Sequence, residues 1–237
     1  MRRSKDIYDR EKWVKGLTVL LQSKNYGLLL SACALLLGTI SLHGYGGYES
    51  FIDPLLNIQR NINDHADSYY YYMTPCPWLQ IKVYQILQLM PVPRDRSTIE
   101  EIDRLVKKTF TATEVTKHVN KNNSDHSILF EAIKLTMCMG EHAAKENIRT
   151  SILMLVKFTG VKEPNIRYIA LETLSKAQPL HLLTCPNILS ENLNLFLSGL
   201  KEPDISIRKS AVDSLFTLAT SDTSSEIINE FLDHLQE

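Results

Sequence analysis

Much of the vocabulary of enzyme chemistry is absent from this 237-residue sequence. It holds no GxxxxGK[ST] or GxGxxG segment that would cradle a nucleotide phosphate. It also lacks HExxH and GxSxG, the signatures of a zinc protease and a nucleophile elbow. The four cysteines, Cys33, Cys76, Cys138 and Cys185, form no CxxC pair. A structural zinc site therefore has no local support, and buried free thiols are expected. None of the seven histidines has another at i+3 or i+4, so no metal-ligand spacing appears and no cofactor is expected. Glycine and proline number 9 each, too few for a collagen-like or linker-like chain. Charge of one sign is missing as well: 26 Lys and Arg against 27 Asp and Glu leave a net −1, which gives no whole-protein footprint for nucleic acid. The N-terminus, MRRSKDIYDREKWVKG, has no apolar core directly after its basic residues, so no cleaved secretory signal is expected. One long apolar run exists, Tyr26 to Leu42, 17 residues at the short edge of a bilayer span. Interrupted by Gly27, Ser31, Gly38, Thr39 and Ser41, it is expected to be a buried helix of a helical stack.

What is present is a degenerate repeat. Glu163-Pro-Asn-Ile-Arg-Tyr-Ile-Ala-Leu-Glu-Thr-Leu174 aligns with Asp204-Ile-Ser-Ile-Arg-Lys-Ser-Ala-Val-Asp-Ser-Leu215 at an offset of 41. Ile166, Arg167, Ala170 and Leu174 recur as Ile207, Arg208, Ala211 and Leu215, and Lys-Glu-Pro opens at 162 and at 201, with a two-residue length difference between the copies. Weaker frames begin near 25, 78 and 125, the last with Asp125, Ile128 and Ala132. The five frames, near 25, 78, 125, 163 and 204, have the spacing of HEAT or armadillo helix pairs. Positions i, i+4 and i+8 share a helix face, and the central alanine lets a neighbouring helix approach. Glu163 and Asp204 stand four residues before Arg167 and Arg208, the favourable order for an i,i+4 pair. The same acids and bases could instead bond across stacked repeats. Pro164 and Pro203 suit helix starts. The fold class is therefore all-α, a right-handed α-solenoid of HEAT/armadillo-like repeats, with residues 1–237 forming one continuous unit.

Three clusters are candidates for function. The basic start, Arg2, Arg3, Lys5, Arg10, Lys12 and Lys15, is interrupted by Asp6, Asp9 and Glu11 and reads as a solvated helix face or frayed end, with contact to anionic lipid head groups as the alternative. Lys107, Lys108, Lys117, His118 and Lys121 read the same way, with a phosphoinositide contact as the alternative. The aromatic run Tyr69, Tyr70, Tyr71 and Tyr72 is a possible partner surface, because Tyr and Trp are enriched at binding hot spots. Trp78 is expected in core or inter-repeat packing. The aromatic run has no alternating partner strand and stops at Pro75 and Pro77, so no hairpin is expected.

The segment Tyr70-Tyr-Tyr-Met-Thr-Pro-Cys-Pro-Trp-Leu-Gln-Ile-Lys-Val-Tyr-Gln-Ile-Leu-Gln-Leu-Met-Pro-Val-Pro93 resembles the trunk of the large adaptins, most of all the alpha-adaptins of the plasma-membrane clathrin adaptor complex. Pro77, Trp78 and Lys82 stand in its most distinctive part. Ile128-Leu-Phe-Glu-Ala-Ile133, Asn165-Ile-Arg-Tyr-Ile-Ala-Leu-Glu172 and Asp204-Ile-Ser-Ile-Arg208 are similar to the helices that follow in that family, in order and spacing. The resemblance runs from about Asn25 to the C-terminus and corresponds to the middle of an alpha-type trunk.

The resemblance implies a non-enzymatic subunit of a clathrin adaptor complex in endocytic vesicle transport. Its implied partners are a small sigma chain, a medium chain and a second large chain, with phosphoinositide membrane reached through the complex. The implied location is cytoplasmic and peripheral, at the clathrin-coated pit. The family's upstream basic patch, hinge and ear are expected to fall outside this chain, so no lipid-binding or signal-binding residue is carried over. A stack opened mid-trunk would expose an apolar face at its first repeat, which points to a missing partner, a truncated product or a fragment of a divergent large chain. The alternative reading is a HEAT-type scaffold, or truncated adaptin-like protein, outside any adaptor complex.

Overall fold

In a computed structural model the described residues are 10–65, 69–113, 116–182, 184–185 and 187–235. They are almost entirely helical, as the sequence predicts. The chain divides into two compact units, one ending at His142 and one beginning at Ala143.

The first unit contains α1 (Arg10–Leu21), α2 (Tyr26–His43), α3 (Ile52–His65), α4 (Pro77–Leu89), α5 (Arg96–Ala112) and α6 (Val119–Met139). A two-residue hairpin, β1 (Tyr70–Tyr71) paired with β2 (Thr74–Pro75), precedes α4. Its core is α4, packed against α2 on one side and α6 on the other. The apolar run forms α2, capped by Asn25, whose side chain accepts from the Leu28 N–H. It buries Leu29, Ala32, Cys33, Leu36 and Ile40, a single face at helical spacing. By length and composition α2 could also cross a membrane; here its buried face packs on α4. Helix α4 buries Leu79, Val83, Tyr84, Ile86 and Leu87. On α4 the i and i+8 positions of the repeat fall at Ile81 and Leu89, which are half-buried and exposed, so the frame near 78 is out of phase with the core. Tyr84 sits wholly inside, its hydroxyl 2.7 Å from Thr109 Oγ1, and burial pushes its pKa up to about 12.

The second unit contains α7 (Lys145–Thr159), α8 (Pro164–Leu174), α9 (Pro179–Leu182), α10 (Ile188–Ser198), α11 (Ile205–Leu218) and α12 (Ser221–His234). The two clear repeat copies are α8 and α11, and they pack on each other. Ala170, Leu174, Ala211 and Leu215 are all fully buried, as the shared frame requires. The expected close approach is present. A Cβ placed on Gly199, in the turn before α11, would stand 2.8 Å from the Ala211 Cβ. Pro164 is the first residue of α8, but Pro203 lies just before the Asp204 cap, so only the first proline starts a helix.

Candidate functional site

The hairpin before α4 is held in a left-handed backbone that non-glycine residues rarely adopt. Tyr69, Tyr72, Met73 and Cys76 have φ of 66, 46, 70 and 40°. Tyr72 and Met73 are the two central residues of the turn, and positive φ at both is what a tight two-residue hairpin requires. Asn-Gly meets that need without strain, whereas each bulky residue there costs about 1–3 kcal/mol. Sequence reasoning missed the hairpin because its second strand is only Thr74-Pro75, too short to alternate, and its turn lacks glycine.

Buried polar contacts hold the base in place. Thr74 Oγ1 donates to Asp125 Oδ1 at 2.6 Å, and Lys121 Nζ reaches the other carboxylate oxygen at 2.5 Å. Gln80 Nε2 donates to the Pro75 carbonyl at 2.7 Å, and Gln59 Nε2 donates to Gln80 Oε1 at 2.6 Å. The Cys76 N–H closes the loop on the Tyr69 carbonyl at 2.9 Å. Elements α3, α4 and α6 thus all grip a loop whose strain opposes it.

The tip presents aromatic rings to solvent. Tyr69, Tyr70, Tyr72 and Met73 are more than half exposed. Tyr71 meets Tyr72 edge-on at 4.7 Å between ring centres, and Trp78 at 4.8 Å. Tyr69 packs edge-on against Tyr26 of α2 at 6.0 Å. Trp78 is 54% exposed, so its expected core role is incorrect. As the second residue of α4, it lies beside the hairpin instead of facing the helix stack. Pro77 is buried at the first position of α4, and Lys82 is half-buried, donating to Gln85 Oε1 at 3.1 Å. The patch therefore joins the four tyrosines, Met73 and Trp78 above one network of buried polar contacts.

The repeat arginines form a second constellation. Arg167 Nη1 donates to the carbonyls of Val161 and Lys162 at 2.9 and 3.3 Å. Arg208 Nη1 does the same to Glu202 and Pro203 at 2.7 and 3.1 Å. Each guanidinium ties down the loop that enters its own helix. The acids named from the sequence take other roles: Glu163 is the N-cap residue of α8, and Asp204 caps α11 by accepting from the Ser206 N–H at 2.7 Å. The ion pair runs across the repeats, Arg167 Nη2 to Glu202 Oε2 at 2.6 Å, between partly buried side chains. Charge-assisted contacts of this kind contribute about 1.5–3 kcal/mol. The signal for Glu202 was the second Lys-Glu-Pro, whose acid is the one that pairs.

The remaining candidates separate. Arg2, Arg3 and Lys5 lie outside the described residues, while Lys12 and Lys15 are exposed on α1. Lys107, Lys108, Lys117 and His118 are exposed, and Lys121 is committed to Asp125. All four cysteines are free. Cys33, Cys76 and Cys185 are buried as expected, but Cys138 is exposed. Burial pushes the Cys33 thiol up to about 12 and the Cys76 thiol up to about 11, which leaves both unreactive near neutral pH.

Comparison with known proteins follows the same lines. The family model for the adaptin N terminal region matches residues 1–237. The AP-2 complex subunit alpha-1 of Arabidopsis thaliana is 32% identical over 99% of this chain and 23% of its own length. The AP-2 complex subunit alpha-2 of Dictyostelium discoideum is 32% identical over 95% of the chain and 23% of its own length. The AP-1 complex subunit gamma of Dictyostelium discoideum is 24% identical over 95% of the chain. The chain thus spans about a quarter of the length of the curated relatives it matches. Among solved structures, an engineered protein superposes with a TM-score of 0.57 at 14% identity, covering 94% of this chain and 87% of its own, a likeness of fold alone. On the extent of the family match and the identity to the alpha subunits, the chain belongs to the adaptin family, through its N-terminal region.

Proposed function

We propose that the chain is a non-enzymatic, large-subunit-type scaffold of a clathrin adaptor complex, acting in endocytic vesicle transport. The observation that carries this reading is the 32% identity to AP-2 alpha subunits over 99% of the chain. Residues 1–237 serve in this reading as one trunk-type segment of helical repeats. Its partners are a small sigma chain, a medium chain and a second large chain, and it reaches phosphoinositide membrane through them, from the cytoplasmic side of the coated pit. The exposed patch of Tyr69–Tyr72 with Trp78 is the surface it offers to a partner protein. Backbone strain supports that role: left-handed residues persist where surrounding structure over-determines them, and binding surfaces are one such place. Arg167 paired with Glu202 keeps the repeats in register, and Arg208 ties down the loop that enters its own helix.

The test is purification of the tagged chain from its own cells with mass spectrometry of what accompanies it. Recovery of sigma, medium and second large chains in comparable amounts supports the proposal. A soluble, folded chain that recovers none of them contradicts it and favours a repeat scaffold outside any adaptor complex.

A further inference from the structure

The hairpin tip is uncharged as well as aromatic. Residues 68–81 contain no Asp, Glu, Lys, Arg or His. The ion pair that grips its base, Lys121 with Asp125, is neutral as a whole. Polar groups are nevertheless available at the tip. Among the described residues, no hydrogen-bond partner meets the hydroxyls of Tyr70, Tyr71 and Tyr72 or the indole N–H of Trp78. The indole is a donor only, and each phenol can donate or accept.

These features narrow what the patch can hold. An acidic or phosphorylated segment needs cations, and the tip has none. Addition of a peptide strand needs a sheet edge, but β1 and β2 have two residues each. An amphipathic helix is about 10–12 Å across and needs a groove of that width. Tyr71 stands only 4.7 Å from Tyr72 and 4.8 Å from Trp78 between ring centres. A polyproline segment fits what remains. It repeats every three residues, about 9 Å, so the three rings together cover about one repeat. Its backbone makes no internal hydrogen bonds and proline carries no N–H, so it offers many acceptors and few donors. In an edge-on pair only one ring has a face covered by the other, which leaves flat faces for proline rings.

We propose that the patch takes an uncharged, proline-rich segment of a partner protein in the polyproline conformation. Prolines three residues apart pack on the rings of Tyr71 and Trp78. The Trp78 N–H and the neighbouring tyrosine hydroxyls donate to the carbonyls between them. The segment is already extended when free, so docking orders little chain. The inference rests on the reading of this patch as a partner surface, and it names the chemistry of what the surface holds.

The test titrates the isotope-labelled full chain with a capped, uncharged peptide carrying Pro-x-x-Pro units, followed by NMR. The chain has two tryptophans, Trp13 and Trp78, so one indole N–H signal reads the site and the other is an internal control. The Trp78 signal is expected to shift saturably while that of Trp13 stays in place. Replacing the peptide's prolines by alanine should weaken binding at least fivefold, and so should Tyr71→Ala in the chain. Trp78→Phe keeps a ring and removes the donor, and binding read at the Tyr71–Met73 amides should weaken at least threefold. No shift at Trp78 overturns the proposal, as does a proline-free peptide that binds equally well. Unchanged binding by the Trp78→Phe chain overturns it too. A Trp78 shift that grows with protein concentration in the absence of peptide would assign the surface to a second copy, against the proposal. Failure of the titration beside intact recovery of adaptor subunits sinks this inference alone, whereas loss of that recovery sinks the proposed function.

Discussion

Met73 shows how a single residue can record what a segment is for. Its φ of 70° suits glycine far better than a side chain with a Cβ. Met73→Gly should therefore raise unfolding stability by about 1 kcal/mol in urea titration, provided relief of strain exceeds the added unfolded-chain entropy. Loss of stability would mean that the unfolded-chain entropy added by glycine outweighs the strain relieved. Asp95 makes a different residue-scale statement. It caps α5 and accepts from Ser97 and Thr98 side chains and the Thr98 N–H, which hold its carboxyl down at about 2. Because the folded value lies below the ordinary 3.8, the stabilisation is complete above that ordinary value and is lost as pH falls toward 2. An NMR titration of the carboxyl should show a midpoint well below that of an exposed aspartate. A midpoint near 3.8 would remove the cap from the account.

At the scale of elements, the repeat pair α8 and α11 was legible in the sequence because its signal is periodic and compositional. Ala170, Leu174, Ala211 and Leu215 recur at helical spacing, and all four are core residues. The pairing of charges was less legible. Spacing of four residues suggested Glu163 with Arg167, but the loop carbonyls and Glu202 compete for the guanidinium and hold it. The frame near 78 failed for a related reason: in α4, buried on two sides by α2 and α6, a repeat template no longer marks a unique inward face. Close packing of the pair yields its own prediction. Gly199→Ala puts a methyl 2.8 Å from the Ala211 Cβ, both on backbone that cannot simply swing away. Overpacking of this kind costs about 1–3 kcal/mol, and thermal unfolding should show the loss. A neutral substitution would mean that the turn shifts freely relative to α11.

At the scale of the whole molecule, the first helical unit carries an exposed aromatic patch. The fold class and the family were readable from motif order along the chain. The shape of the patch was not, because four left-handed residues without glycine leave no trace in a propensity pattern. Its supports come from three separate helices: Gln59 on α3, Gln80 on α4, and Lys121 with Asp125 on α6. Tyr71 and Trp78, whose rings meet at 4.8 Å, form the part of the patch most accessible to a clean test. The most direct measurement compares the tagged wild-type chain with the Tyr71→Ala, Trp78→Ala double variant, quantifying co-purified adaptor subunits by mass spectrometry. The account predicts at least a tenfold loss of those subunits from the variant, with circular dichroism and melting temperature close to wild type. Equal recovery from a folded variant would contradict it and would move the partner surface elsewhere on the chain.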